Sequence, residues 1–223
     1  MKQPATAVLF DFDGTLADGY VAITNSINFV RSSRGLPNLA AEQIRPLVGR
    51  GLETLLSEVG TGNVAADVAT YRDHYAQHMM EGTVLFSAAR PLISQLRASG
   101  VKLGVCSNKL AKFTNELLVR LGIADMFGAV VGPEHVIRPK PAPDMLLAAV
   151  EKLGAIPVEI IYIGDMSIDV AAGRAAGMTV WTVATGSESM QQLQSAQPDR
   201  LFSDLGEVQR AFGFETARGT EVT

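Results

Sequence analysis

Along most of the chain, short apolar runs rich in β-branched residues alternate with stretches whose apolar positions recur at helical spacing. The runs are Ala7 to Phe10, Val101 to Cys106, Ala129 to Val131, Ile160 to Ile163 and Thr179 to Val183, each leading into Gly, Asp, Ser or Thr. Runs this short, with no polar residue on alternate positions, predict strands buried on both faces, as in parallel sheets. The helical stretches between them are Pro91 to Ser99, Lys112 to Leu121, Pro143 to Leu153 and Asp169 to Ala176. Gly100, Gly122, Gly154 and Gly177 follow their ends, where a left-handed residue stops a helix. The alternation predicts an α/β fold of βαβ units, a doubly wound parallel sheet.

Residues 17 to 88 break the pattern, with no strand expected anywhere in them. Apolar residues at helical spacing predict helices over Val21 to Arg34, Ala41 to Leu47, Leu52 to Val59 and Val64 to Met80. The breaks are Gly35-Leu36-Pro37, Gly49-Arg50-Gly51 and Gly60-Thr61-Gly62. Residues 17–88 therefore read as an α-helical cap inserted into a core made of residues 1–16 and 89–214. Leaving from the end of the first strand, such a cap overhangs the carboxyl ends of the strands, where open α/β sheets place their sites. Residues 215–223 show no apolar period and read as a flexible tail.

Composition narrows the function classes. At 223 residues, 47% hydrophobic and 19% charged, the chain suits a globular core with a smaller unit attached. No apolar stretch approaches the roughly 18 residues of a membrane helix. One Lys and a very short apolar run precede Asp11, too little for a secretory signal. A single cysteine, Cys106, excludes an internal disulfide and a Cys-rich zinc site, and the expected compartment is the cytoplasm. A net charge of -4 without any basic run argues against nucleic acid as a partner. The expected assembly is a monomer or homodimer.

Candidate chemistry sits at the ends of the predicted strands. Asp11 and Asp13 leave the first strand two residues apart, ahead of Gly14, which permits a sharp turn toward one pocket. Like charges so close repel unless a cation compensates, and a divalent metal is the simplest compensation. A second acidic pair, Asp165 and Asp169, follows the fourth strand as a helix begins. Four carboxylates on one sheet edge suit magnesium, an oxygen-seeking cation. Ser107-Asn108-Lys109 and Lys140, within Arg138-Pro139-Lys140-Pro141-Ala142-Pro143, supply donors and fixed positive charge. In-line nucleophile, cations and donors are what a phosphoryl group in transfer requires.

Four motifs in order, Asp11-Phe12-Asp13-Gly14-Thr15-Leu16, Cys106-Ser107-Asn108-Lys109, Arg138 to Asp144 and Gly164 to Met178, give the chain its family likeness. It resembles the haloacid dehalogenase superfamily, and within it phosphoglycolate phosphatase-like members with a helical cap. The resemblance extends to about Leu205 and is far more specific than any single motif. It implies that Asp11 is a nucleophile forming an aspartyl-phosphate, and that Asp13 is the acid/base. Thr15, Ser107, Asn108 and Lys109 would bind the phosphoryl group, and Lys140 would bridge nucleophile and phosphate. Mg2+ would be held by Asp11, the main-chain carbonyl of Asp13 and Asp165, with Asp169 assisting directly or through water. Dehalogenase relatives lack the second Asp, so Asp13 favours phosphoryl transfer to water from a small phosphorylated metabolite, with 2-phosphoglycolate the leading expectation. A phosphomutase and a catalytically silent phosphometabolite binder are the alternatives. Met166 and Gly19 stand where the family often has Ser.

Three weaker signals complete the reading. Arg50, between two glycines of the cap, is a candidate for a substrate's second anionic group. His74 and His78 lie four apart on a predicted helix with no Glu in a metalloprotease arrangement, and read as cap surface. Cys106, inside an apolar strand, reads as a packing residue.

Overall fold

The computed structural model describes residues 5–214, so the tail expected at 215–223 lies outside the described residues. Among the described residues eight strands form: β1 (Ala7–Phe10), β2 (Ala17–Asp18), β3 (Val84–Leu85), β4 (Lys102–Cys106), β5 (Ala129–Val131), β6 (Ile160–Gly164), β7 (Thr179–Val183) and β8 (Arg200–Phe202). The helices are α1 (Tyr20–Ser33), α2 (Ala41–Ile44), α3 (Leu52–Glu58), α4 (Val64–His78), α5 (Ala89–Ala98), α6 (Ala111–Arg120), α7 (Asp144–Leu153), α8 (Ser167–Ala175), α9 (Met190–Ser195) and α10 (Leu205–Ala211). Gly100, Gly122, Gly154 and Gly177 all take positive φ, between 56° and 81°, as helix stops.

Six strands make one all-parallel sheet in the order β5-β4-β1-β6-β7-β8. The chain winds outward from β1 in one direction, then returns and winds outward in the other, so the order reverses beside β1. Strand alternation sends Val8 and Phe10 to one face and Ala7 and Leu9 to the other, and all four are buried. On the first face the strands pack against α5, α6 and α10 through Leu92, Ile93, Leu96, Leu117, Leu118 and Val208. On the second they meet α7 and α8 through Met145, Leu146, Ala149, Val150 and Ala172. Burial on both faces is why these strands read as unbroken apolar runs.

Helices α1 to α4 form the cap, and its interior, including Ile27, Val30, Ile44, Leu56 and Met79, is continuous with the first-face core. Two expectations for this region are corrected. Residues 17–88 are not wholly helical, because β2 and β3 pair antiparallel, Ala17 with Leu85 and Asp18 with Val84. This two-residue ribbon ties the outgoing and returning chain together, and is too short to leave a period-2 signature. The helix expected over Ala41 to Leu47 ends at Ile44 and tightens into a 3-10 turn at Arg45–Leu47, where Pro46 lacks an amide hydrogen. The sequence reading also passed over β8, α9 and α10, each seven residues or fewer. No helix among the described residues is long and apolar enough to cross a membrane.

Leu92 is fully buried under the first face, whereas Val119 is 64% exposed. Leu92→Ala should lower the unfolding free energy by about 2–5 kcal/mol. Val119→Ala should stay within about 0.5 kcal/mol of the parent. Urea unfolding of both variants tests this placement of the core, which fails if the two effects are alike.

Candidate active site

The sheet's last rungs pin the site. The Asp11 amide donates to the Ile163 carbonyl at 2.8 Å, and the Ser107 amide donates to the Val131 carbonyl at 3.2 Å. Asp11, Ser107 and Asp165 thus emerge from β1, β4 and β6, neighbours at the point where the strand order reverses. Gly14, at φ +84°, turns the chain back under Asp165; a Cβ there would fall 2.5 Å from Asp165 Oδ2.

Asp11, Asp165 and Asp169 are all buried, and one oxygen of each lies within 4.8 Å of the others. Lys140, almost wholly buried, is 3.0 Å from Asp11 Oδ1 and 2.7 Å from Asp169 Oδ1. Tyr162 accepts from Lys140 at 3.0 Å and donates to Asp169 Oδ1 at 2.7 Å. The second oxygen of Asp169 accepts the amides of Asp165 and Met166 at 3.2 and 3.0 Å, closing the first turn of α8. Asp169 is therefore saturated with donors. Asp165 accepts the Thr15 hydroxyl at 3.0 Å and the Ser187 amide at 3.2 Å.

Burial raises the Asp11 carboxyl to about 6, with Asp169 adding to the rise and Lys140 opposing it. Burial, then the charges of Asp11 and Asp169, push Asp165 well above the usual carboxylate range. Burial works against the Lys140 charge, but Asp11 and Asp169 together outweigh it and keep the amine protonated. One lysine faces three desolvated carboxylates, which leaves a pair of negative charges for a divalent cation.

A cavity of about 430 Å³ separates these residues from the cap. Asp11, Asp13, Ser107, Asn108 and Lys109 line its floor, and Arg50, Leu52, Tyr71, Arg72 and Tyr75 line its roof. Lys109 Nζ lies 3.0 and 2.9 Å from the two Asp13 oxygens. Asn108 Nδ2 donates to the Gly49 carbonyl of the cap at 2.8 Å and to the Lys140 carbonyl at 3.2 Å. Arg50 is half exposed and 3.8 Å from Glu58. A carboxylate held beside a protonated lysine, open to a cavity and backed by acidic residues, is equipped for attack on an electrophile near a metal.

Every residue singled out from the sequence lies in or against this site, apart from three that do not line it. His74 meets the Ser26 hydroxyl at 3.0 Å and stacks on Phe29, while His78 pairs with Glu81 at 2.8 Å. They share no acidic cluster and sit on the cap. Cys106 is fully buried against Met145, and burial raises its thiol to about 12.

Both departures from the family pattern have a structural setting. A Cβ on Gly19 would fall 2.6 Å from Asp13 Oδ1, so glycine lets the chain pass that carboxylate. Met166 is 2% exposed, and its sulfur fills the space beside Gly49, where an added Cβ would meet it at 2.2 Å. Sequence reasoning missed Tyr162, Tyr75 and the Thr185–Ser187 loop. Tyr162 was detectable as the polar-tipped residue in an aliphatic strand, whereas Tyr75 reads as ordinary helix core. The loop offers the Ser187 amide to Asp165 and the Thr185 hydroxyl to the Gly14 carbonyl, and a Cβ on Gly186 would fall 1.6 Å from Asp165 Oδ2, but a Thr-Gly-Ser run is too common to stand out in the sequence. Arg45, also missed, reaches from the cap to that loop's Thr185 and Gly186 carbonyls at 2.9 and 3.1 Å.

Comparison with known proteins agrees with this geometry. The family described as haloacid dehalogenase-like hydrolase matches residues 8–183. The chain is similar to phosphoglycolate phosphatase of Yersinia pseudotuberculosis serotype I (strain IP32953), 29% identical over 223 residues with 96% of each chain covered. It is 31% identical over 225 residues to phosphoglycolate phosphatase of Rhodospirillum rubrum, covering 96% of this chain and 93% of that one. A crystal structure described as a haloacid dehalogenase-like hydrolase from Bacteroides fragilis superposes with a TM-score of 0.85 at 30% identity, over 92% of this chain and 99% of that one. With strand order, acidic cluster and buried lysine in place, the chain belongs to the haloacid dehalogenase-like hydrolases.

Proposed function

We propose that this chain is a magnesium-dependent phosphate monoester hydrolase that acts through an aspartyl-phosphate on Asp11, with 2-phosphoglycolate its leading substrate. The observation that carries the reading is the pairing of Asp11, 3.0 Å from a buried Lys140, with Asp13 on the floor of the same cavity. The substrate follows from the relatives' activity, and Arg50 in the roof is the residue we assign to its carboxylate.

In the first half-reaction an Asp11 oxygen bonds to phosphorus as the ester oxygen departs, and Asp13 gives that oxygen a proton. In the second, Asp13 takes a proton from water as the water oxygen bonds to phosphorus. The bond to Asp11 then breaks, releasing inorganic phosphate and restoring both carboxyl groups. Lys140 and Ser107 would face the phosphoryl oxygens, the Asn108 side-chain amide gives its hydrogens to the Gly49 and Lys140 carbonyls beside them, and Thr15 fixes Asp165 from behind. Lys109 is held on Asp13, so its contact with phosphate is through the residue it orients.

Three buried carboxylates against one lysine fit a magnesium ion. Asp11, Asp165 and the main-chain carbonyl of Asp13 would hold it, with Asp169 acting through Lys140 and the α8 amides. Bound there, magnesium would draw charge from the phosphoryl oxygens.

The folded Asp11 carboxyl titrates near 6 without metal, above the 3.8 of an unperturbed group. The metal-free folded protein therefore binds more protons than the unfolded chain between these values, and its stability falls as pH rises through about 6. Magnesium needs the ionised carboxylates and relieves their repulsion. It should raise the melting temperature more at pH 7.5 than at pH 5. Equal shifts at both pH values in thermal melts would remove the carboxylates as ligands.

Asp11→Asn should abolish phosphate release with the melting curve kept within a few degrees. Magnesium-dependent turnover surviving in that variant would refute the covalent route. Arg50→Ala should raise KM for 2-phosphoglycolate several-fold more than for phenyl phosphate, which has no second anion. Equal effects on the two esters would take Arg50 out of selection.

A further inference from the structure

The lysine that meets the charge of Asp13 also touches the cap. Lys109, from the loop after β4, approaches both of its oxygens, at 3.0 and 2.9 Å, and the two side chains are each only 9% exposed. The same amine hydrogen-bonds the Tyr75 hydroxyl and lies 4.6 Å from the centroid of that ring. Tyr75 belongs to α4 of the cap and is 1% exposed. Its ring stacks on Tyr71 at 5.5 Å and meets Phe113 of α6 edge-on at 5.3 Å. The Tyr75 ring is thus fixed by cap and core together, its hydroxyl fixes the lysine, and the lysine fixes both oxygens of Asp13.

An ordinary core tyrosine accounts for the ring packing but not for the hydroxyl, which in a buried setting needs a partner and here has the amine that grips Asp13. A lysine on a flexible stem is a poor positioning device by itself, because its rotamers are many. Its amine is met by the Tyr75 hydroxyl and both Asp13 oxygens and lies 5.8 Å from the Phe12 ring centroid, contacts that restrict those rotamers.

Resting on the phosphatase reading above, we infer that Lys109 and Tyr75 are positioning residues that orient Asp13 toward the attacking water. Docking of α4 on the core and placement of the base are then a single event. The Lys109 ammonium approaches both oxygens of Asp13, as suits a carboxylate, the form that takes a proton from water. Loss of the clamp should fall on hydrolysis of the aspartyl-phosphate more than on its formation, provided the leaving group needs no proton.

p-Nitrophenyl phosphate with magnesium separates the two steps by rapid quench, since p-nitrophenolate departs unprotonated. In Tyr75→Phe and Lys109→Met, the steady-state rate should fall about tenfold or more beyond any fall in the first-turnover rate, and acid-stable phosphoprotein should accumulate. Lys109→Arg, which keeps two donors for the carboxylate, should recover part of the steady-state rate that Lys109→Met loses. First-turnover and steady-state rates falling in equal proportion, or neither changing, in Tyr75→Phe and Lys109→Met would overturn the inference; Lys109→Met keeps the test alive should Tyr75→Phe not fold. The parent protein and Asp13→Asn tell this failure from a failure of the function. A parent that releases no p-nitrophenolate ends the phosphatase reading. An Asp13→Asn variant without a selective steady-state loss ends the role of Asp13, and the positioning of it as well.

Discussion

Burying Asp11, Asp165 and Asp169 within 4.8 Å of one another is the constraint on which this structure turns. Isolated carboxylates do not survive in a low-dielectric interior, because desolvation and mutual repulsion drive them to take up protons. The fold opposes this with specific donors. Lys140 stands between Asp11 and Asp169, Tyr162 and two α8 amides complete Asp169, and Thr15 with the Ser187 amide holds Asp165. These partners come from loops after four different strands and from one strand interior, and only a parallel sheet presents so many strand ends to one place. The sheet's regularity and the site's charge are thus two sides of one arrangement. The compensation is incomplete, since Asp11 and Asp165 still sit above their ordinary range.

The cap shares the core's physics instead of standing apart from it. Its apolar interior runs without a break into the face that carries α5 and α6, so apolar burial draws it onto the sheet. Polar contacts then set where it stops. Asn108 holds the Gly49 carbonyl, Arg45 holds the Thr185 and Gly186 carbonyls, and Met166 occupies the space beside Gly49. Met166 is informative because a shorter serine at that position would leave this gap beside the cap loop unfilled. The β2–β3 ribbon, only two residues deep, is the covalent neck through which the cap is attached.

The sequence was most legible where one physical rule acts alone. β1, β5 and β7 fall where their apolar runs fall, because burial on both faces removes polar residues from the strand. The helix ends were legible through Gly100, Gly122, Gly154 and Gly177, since a positive φ nearly dictates the residue. Asp11, Asp13, Lys140, Asp165 and Asp169 were legible because spacing and motif order coincide. What escaped was structure decided by partners distant in sequence. The two-residue ribbon exists only because Ala17 and Leu85 are brought together, and Lys109 meets both Asp13, ninety-six residues earlier, and Tyr75, thirty-four residues earlier. Tyr75 itself lies on a helix whose two histidines are the more conspicuous residues and have no part in the site.

Chemistry and selection are divided between the two sides of the cavity. The floor carries Asp11 and Asp13, backed by Lys140, Asp165 and Asp169, whose charges are fixed by many partners and change little with the substrate's outline. The roof carries Arg50, 3.8 Å from Glu58, and Arg72, 3.6 Å from Glu53. Both pairs are long and partly exposed, the kind worth about 0–1 kcal/mol, so a substrate anion can replace either acid at little cost. Arg72 lines the cavity too, and its buried Nε has no hydrogen-bond partner. Around them Leu52, Leu55 and Tyr71 make the roof largely apolar. A compact dianion would use the arginines alone, whereas a longer phosphate ester would also lie along the apolar wall. On the phosphatase reading proposed above, selectivity would rest on how the roof balances two loosely held cations against its apolar side chains, while the floor would treat the phosphoryl group alike in either case.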